Sequence, residues 1–162
     1  MHATPPVLPR AATAALDELL AIFAVVVVTG ARQTGKSTLV TTHPPLMGRP
    51  LRVLDDLAAR SEAVADPAGF VGREPMIIDE IQRVPELLLA IKAEVDRDRR
   101  PGRFLLTGSS KLLAAPDMAD ALVGRVETLE LWPHALRNNR KIYVDFHAPD
   151  GTWIDTLMPP VT

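Results

Sequence analysis

Four residues of this 162-residue chain have the types and settings for phosphate chemistry: Lys36, Ser37, Asp79 and Glu80. Lys36 and Ser37 close the run Gly30-Ala31-Arg32-Gln33-Thr34-Gly35-Lys36-Ser37, which spells the G-x-x-x-x-G-K-[ST] pattern of a phosphate-binding loop. In such a loop the glycines let backbone N–H groups curl around phosphate oxygens, and the helix that follows points its positive end at them. Gly30 through Thr38 are therefore the candidate nucleotide-binding residues. Lys36 reaches the outer phosphates as a point charge, and the Ser37 hydroxyl suits a magnesium ion that keeps most of its other ligands as water or phosphate.

Asp79 follows Met76-Ile77-Ile78, an apolar strand ending in a carboxylate that would hold the ion, partly through water. Glu80 comes next, placed to orient and polarise the water that attacks the terminal phosphate. Thr107-Gly108-Ser109-Ser110 ends another apolar run, and Ser109 is the candidate hydroxyl for sensing the outer phosphate or its water; the run also reads as a plain turn. Hydrolysis needs positive charge in the transition state, and a supplied arginine is worth on the order of 10³ to 10⁵ in rate. Arg125, after Gly124, is that candidate, acting in its own site or a neighbour's.

Elements must bring these residues together. Val25-Val26-Val27-Val28 is β-branched on both faces and reads as a central strand covered above and below. Before it, "AATAALDELLAI" carries Ala15, Leu19 and Ile22 at helical spacing; after the loop, Leu39 and Val40 mark the buried side of a short helix ending near His43. "LRVLDD" (51–56) predicts a second strand ending in two acids, and "LAARSEAVADPAGF" a helix broken by Pro67 and a loop. "MIIDE" (76–80) is a third strand. "PELLLAIKAEVDRD" is a helix with Pro85 in its first turn and Leu88, Ile91 and Val95 on one face. "RFLLTGSS" (103–110) is a fourth strand, and "KLLAAPDMADALVG" is helical with an interruption at Pro116. "RVETLELW" (125–132) alternates Val126, Thr128 and Leu131 with charged residues, as a strand near a sheet edge does. Strands separated by helices make a parallel sheet covered on both sides, with ligands at the carboxyl ends, where Asp55-Asp56, Asp79-Glu80 and Thr107 to Ser110 all fall.

A composition 47% apolar and 23% charged describes a globule rather than a disordered chain. A net charge of −2 gives no electrostatic reason to expect nucleic acid or an anionic membrane. The four histidines do not cluster and there is no cysteine, which disfavours zinc and excludes disulfides. The longest apolar run, Leu19 to Val28, is shorter than the roughly 18 residues of a membrane span. Acidic Asp17 and Glu18 ahead of it argue against a signal peptide, so the cytoplasm is the expected location.

The strings "TGARQTGKSTL", "LDD", "DPAGF", "MIIDEIQRVPELLLAIKAEVDRDRRPGRFLLTGSS" and "LVGRVETLELWP" resemble a family of prokaryotic AAA-type P-loop ATPases, over about residues 10 to 133. In that family the ATPase core precedes a nuclease-like carboxy-terminal domain. The resemblance implies an α/β fold, the P-loop NTPase three-layer sandwich, with a five-stranded mostly parallel sheet in the order 5-1-4-3-2. It also implies ATP and Mg²⁺ as ligands, with Lys36, Ser37, Asp79 and Glu80 in the roles above. The expected organisation is an extended arm (1–10), the ATPase core (11–133) and a divergent, poorly ordered tail (134–162). The tail departs from the family, whose members continue after the fifth strand into a helical lid, so closure of the site is expected to be impaired. The expected function is magnesium-dependent ATP hydrolysis, slow without self-association or a protein partner that supplies or receives an arginine. The other class is a nucleotide-binding regulatory or truncated module without turnover. A small-molecule kinase would need an acceptor site, and a GTPase would carry an Asn-Lys-x-Asp string, which is absent.

Overall fold

The computed structural model describes residues 10–31, 34–109, 125–131, 143–147 and 153–157. Five strands form one parallel sheet: β1 (Val25–Gly30), β2 (Leu51–Val53), β3 (Met76–Asp79), β4 (Phe104–Thr107) and β5 (Val126–Leu131). Their order is β2-β3-β4-β1-β5, which is the expected 5-1-4-3-2 read from the other edge. Among the described residues five α-helices accompany them, α1 (Arg10–Ile22) ahead of β1 and, between strands, α2 (Lys36–Thr42), α3 (Leu57–Ala65), α4 (Pro67–Val71) and α5 (Leu87–Arg97). This is the α/β P-loop architecture that the resemblance implies.

The four valines of β1 explain the sheet's two cores. A strand alternates its side chains between faces. Val25 and Val27 enter one core with Ile78, Phe104, Leu106 and the apolar sides of α4 and α5, and Val26 and Val28 enter the other with Ile77, Leu105, Leu39 and α1. Parallel strands need crossover connections, and these place helices on both faces, so the central strands cannot afford a polar side. The α5 stripe runs through Leu87, Leu88, Ile91 and Val95, as its spacing predicts.

Four local readings are corrected. Ile22 is 67% exposed, because α1 ends there and the partly buried Phe23 packs on that core beyond the buried face formed by Ala12, Ala15, Leu16 and Leu19. Pro67 does not lead into a loop: it opens α4, whose first turn is capped by the Asp66 carboxylate accepting from the Gly69 N–H at 2.9 Å. Pro85 lies two residues ahead of α5 rather than in its first turn. On the edge strand β5 the buried positions are Glu127, Leu129 and Leu131, out of phase with Val126 and Thr128. Leu129 and Leu131 join the core under α1, so that face of β5 is the buried one.

Beyond this sheet, β6 (Tyr143–His147) and β7 (Trp153–Leu157) form an antiparallel pair within the expected tail, 134–162. Residues 1–9 of the expected arm and the expected helix over 111–124 lie outside the described residues, while Arg10 opens α1. Among the described residues no helix is long and apolar enough to cross a membrane.

Candidate functional site

β1 delivers the loop to the carboxyl end of the sheet. Gly30 ends the strand at φ 144°, and a Cβ there would lie 2.3 Å from the Leu131 carbonyl oxygen on β5, so only glycine fits this close approach. Gly35 stands at φ 89° just before α2 and turns the chain into the helix. Between them Thr34 Oγ1 donates to the Ala31 carbonyl at 2.9 Å. Lys36, buried, folds its ammonium back onto the loop and donates to the carbonyls of Gly30 at 2.9 Å and Ala31 at 2.8 Å. A charge held this way is desolvated and already aimed at the loop's interior.

Ser37 Oγ lies 3.0 Å and 3.3 Å from the two carboxylate oxygens of Asp79. The contact joins residues from β1's loop and from β3, two strands that are not neighbours. β4 lies between them, and its last residue completes the connection. Thr107 Oγ1 donates to Asp79 Oδ1 and accepts the backbone N–H of Glu80 at 3.0 Å. The parallel register Ile78↔Leu106 puts Asp79 and Thr107 side by side at the strand ends. Asp79 is therefore a buried carboxylate held by two hydroxyls. Glu80 leaves β3 in the left-handed region at φ 62°, the single non-glycine residue with positive φ among the described residues. Such a conformation costs on the order of 1–3 kcal/mol and persists where the surroundings over-determine it. Here the Thr107 hydroxyl bonds the Glu80 N–H, and Gln82 Nε2 donates to Glu80 Oε2.

A family model described as an AAA domain matches residues 23–139. The chain belongs to that family. Two uncharacterized proteins, Mb2031c of Mycobacterium bovis and Rv2008c of Mycobacterium tuberculosis, are each 36% identical to it over 160 residues. The alignments cover 93% of this chain and 33% of each relative, so the chain spans about a third of the length of the curated relatives it matches. A solved structure titled the cytoplasmic domain of EssC aligns with 68% of this chain and 31% of its own, at 13% identity and a TM-score of 0.42, too distant to bear on function.

In this AAA domain the structure gathers Gly30, Ala31, Thr34, Gly35, Lys36, Ser37 and Thr38 at the same end of the sheet as Asp79 and Glu80; Arg32 and Gln33 fall outside the described residues. Ser109 follows β4 by two residues and is partly buried, but the hydroxyl that contacts Asp79 and Glu80 belongs to Thr107. The role expected of Ser109, at the outer phosphate or its water, is a different one; the contact with Asp79 and Glu80 falls to Thr107 through the register of two neighbouring strands. Gln82 was read only as part of a family string.

Asp55 and Asp56 follow β2 yet serve structure. Asp56 caps α3 through the Ala58 N–H at 2.8 Å, and Asp55 pairs with Arg83 at 2.7 Å. Arg125 lies away from its own Gly30–Thr38 loop. It precedes β5, and its carbonyl accepts from the Val25 N–H at the amino end of the sheet. Gly30 lies five residues further along the paired strand, so the two ends are separated by about 17 Å at roughly 3.3 Å per residue. There Arg125 Nε donates to Asp96 on α5 at 2.7 Å.

Proposed function

We propose that this AAA domain binds ATP with magnesium at the Gly30–Thr38 loop and hydrolyses it slowly by itself. The observation that carries the reading is the Ser37–Asp79 contact, a hydroxyl at the start of α2 meeting a buried carboxylate at the end of β3. One carboxylate beside one hydroxyl suits a small hard cation that takes its remaining ligands from water and phosphate. When bound, the ion supplies positive charge to the outer phosphate oxygens. Lys36 exchanges its two loop carbonyls for phosphate oxygens and adds a fixed cation. Glu80 orients the attacking water and takes its proton, while Thr107 keeps Asp79 and Glu80 in register.

Hydrolysis also calls for a transition-state cation. Arg125 occupies the opposite end of the sheet, so in this reading it serves the site of a neighbouring copy or of a protein partner, worth on the order of 10³–10⁵ in rate. The same placement favours a second reading, a nucleotide-binding module without turnover. The two separate by experiment. A fluorescent ATP analogue is titrated against the purified chain with and without magnesium, and phosphate release is followed in wild type and Glu80→Gln. Tight magnesium-dependent binding with release lost in Glu80→Gln supports hydrolysis; binding without release in either protein supports the second reading. Lys36→Ala is expected to weaken nucleotide binding on the order of 100-fold or more, since two charge-assisted contacts disappear. Unchanged affinity in that variant would defeat both readings.

A further inference from the structure

We propose that Gln82 is a positioning residue for Glu80: its side-chain amide fixes the carboxylate that activates water. This rests on the hydrolytic reading above and adds a role that neither the loop pattern nor the Ser37–Asp79 contact supplies. The observation is the bond from Gln82 Nε2 to Glu80 Oε2. An ionised carboxylate only accepts, so the amide must turn its NH₂ group towards it. The cost of that orientation is visible on the other side of the amide. Gln82 Oε1 is buried and has no hydrogen-bond donor among the described residues. A buried acceptor without a donor destabilises the fold, so the orientation of this amide needs a reason, and the bond to Glu80 supplies one.

The backbone around Gln82 is built to deliver the amide. Glu80, in its left-handed conformation, starts a single 3-10 turn over Ile81–Arg83, closed by the Arg83 N–H to the Glu80 carbonyl at 2.9 Å. That tight turn brings residue 82 back over side chain 80. Ile81 and Val84 anchor it in the core at 0% and 1% exposure. Arg83, the nearest cation in sequence, is tied to Asp55 at 2.7 Å. The carboxylate thus receives a neutral donor, which sets its direction without neutralising it as a salt bridge would. A base oriented by a third group is a general arrangement for activating a nucleophile.

The test measures magnesium-dependent phosphate release and nucleotide affinity in wild type, Gln82→Met and Gln82→Ala. Methionine keeps the side-chain volume and removes the donor, so one variant survives if the smaller residue unfolds the turn. Expected is a fall in kcat on the order of 10-fold, with KM and nucleotide affinity within about 2-fold of wild type. A double-mutant cycle adds the decisive comparison. Glu80→Asp withdraws the carboxylate by one methylene, and on that background Gln82→Met should remove nothing further. An unchanged kcat in Gln82→Met overturns the proposal, as does an equal proportional loss on both backgrounds or an affinity loss that parallels kcat. A wild-type chain that releases no phosphate, or a Glu80→Gln variant as active as wild type, defeats the hydrolytic reading and this inference together. Loss in Glu80→Gln with no change in Gln82→Met defeats this inference alone.

Discussion

The two ends of the parallel sheet bury charge in opposite ways. At the amino end Arg103, 1% exposed, lies just ahead of β4. Its guanidinium donates to the carbonyls of Glu94 at 2.6 Å, Asp98 at 3.2 Å and Gly72 at 3.3 Å, and pairs with the Glu94 carboxylate at 3.0 Å. Those carbonyls lie at the ends of α5 and α4, where the Glu94 carbonyl also accepts the Asp98 N–H, so one cation ties two helix termini. At the carboxyl end Asp79, Thr107, Ser37 and Lys36 are held by one another and by loop carbonyls. In the proposed reading, the hydroxyls and the Lys36 ammonium exchange partners for phosphate and metal. A forked guanidinium locked onto three carbonyls cannot do so without opening two helices. In that reading buried polarity serves cohesion at one end and exchange at the other.

The largest test of this division is Arg103→Met. Removing Arg103 leaves the Glu94 carboxylate with Arg97 alone and takes a donor from three carbonyls, of which that of Glu94 keeps the Asp98 N–H, and the loss of stability should be about 3 kcal/mol. Chemical denaturation measures it. The folded fraction of the variant should still bind the ATP analogue with wild-type affinity, because no contact of Arg103 reaches the loop. Lower affinity in the folded variant would show that the ends are coupled and would break the comparison.

Thr107 sharpens the division from the other side. Thr107→Val keeps the shape but removes both the donor to Asp79 and the acceptor for the Glu80 N–H. The buried N–H left behind should cost about 1–3 kcal/mol, and phosphate release should fall with it. Thr107→Ser keeps the hydroxyl and should retain most of both properties. If valine lowered stability without touching release, the Asp79–Thr107–Glu80 link would be cohesion of the Arg103 kind.

How far these ends were legible in the sequence follows from their physics. The loop was readable because Gly30, Gly35, Lys36 and Ser37 each answer a local demand, of backbone angle or charge, that sequence spacing expresses directly. The sheet order came with the family resemblance, since pairing between distant strands leaves no local trace. Thr107 was hidden because three hydroxyls stand together at 107–110 and only the register against β3 selects one. Arg103 was hidden for a related reason: an arginine before a strand reads as a solvated end until α4 and α5 are folded over it. On β5 the phase was misjudged because Glu127 is buried, and an edge strand covered fully on one face only weakens the apolar signal. Charge that is buried by tertiary packing is the part that local pattern does not carry.

The smallest effect is expected from Asp96, at the amino end but on its surface. The hydrogen bond from Arg125, first, and the nearby Arg125, Arg99 and Lys92 charges hold its carboxyl below the ordinary carboxylate range, against a smaller opposing effect of desolvation. A carboxylate whose pKa is lowered by folding adds stability that is complete above the unfolded value and disappears as pH falls through the folded one. Asp96→Asn should therefore lower Tm slightly at neutral pH, and the difference from wild type should shrink on acidification below about pH 4. Added salt should shrink it as well, because the pair is exposed to solvent. Phosphate release by the dilute chain should be unchanged, since Arg125 is remote from its own loop. Release that rises on concentrating wild type but not Arg125→Ala would give this small surface pair a second role, holding Arg125 in place for another copy's site. A Tm difference that stayed constant through the acid range would instead show that the Asp96 carboxylate gains nothing from its neighbours, and that the amino end draws its cohesion from the buried Arg103 alone.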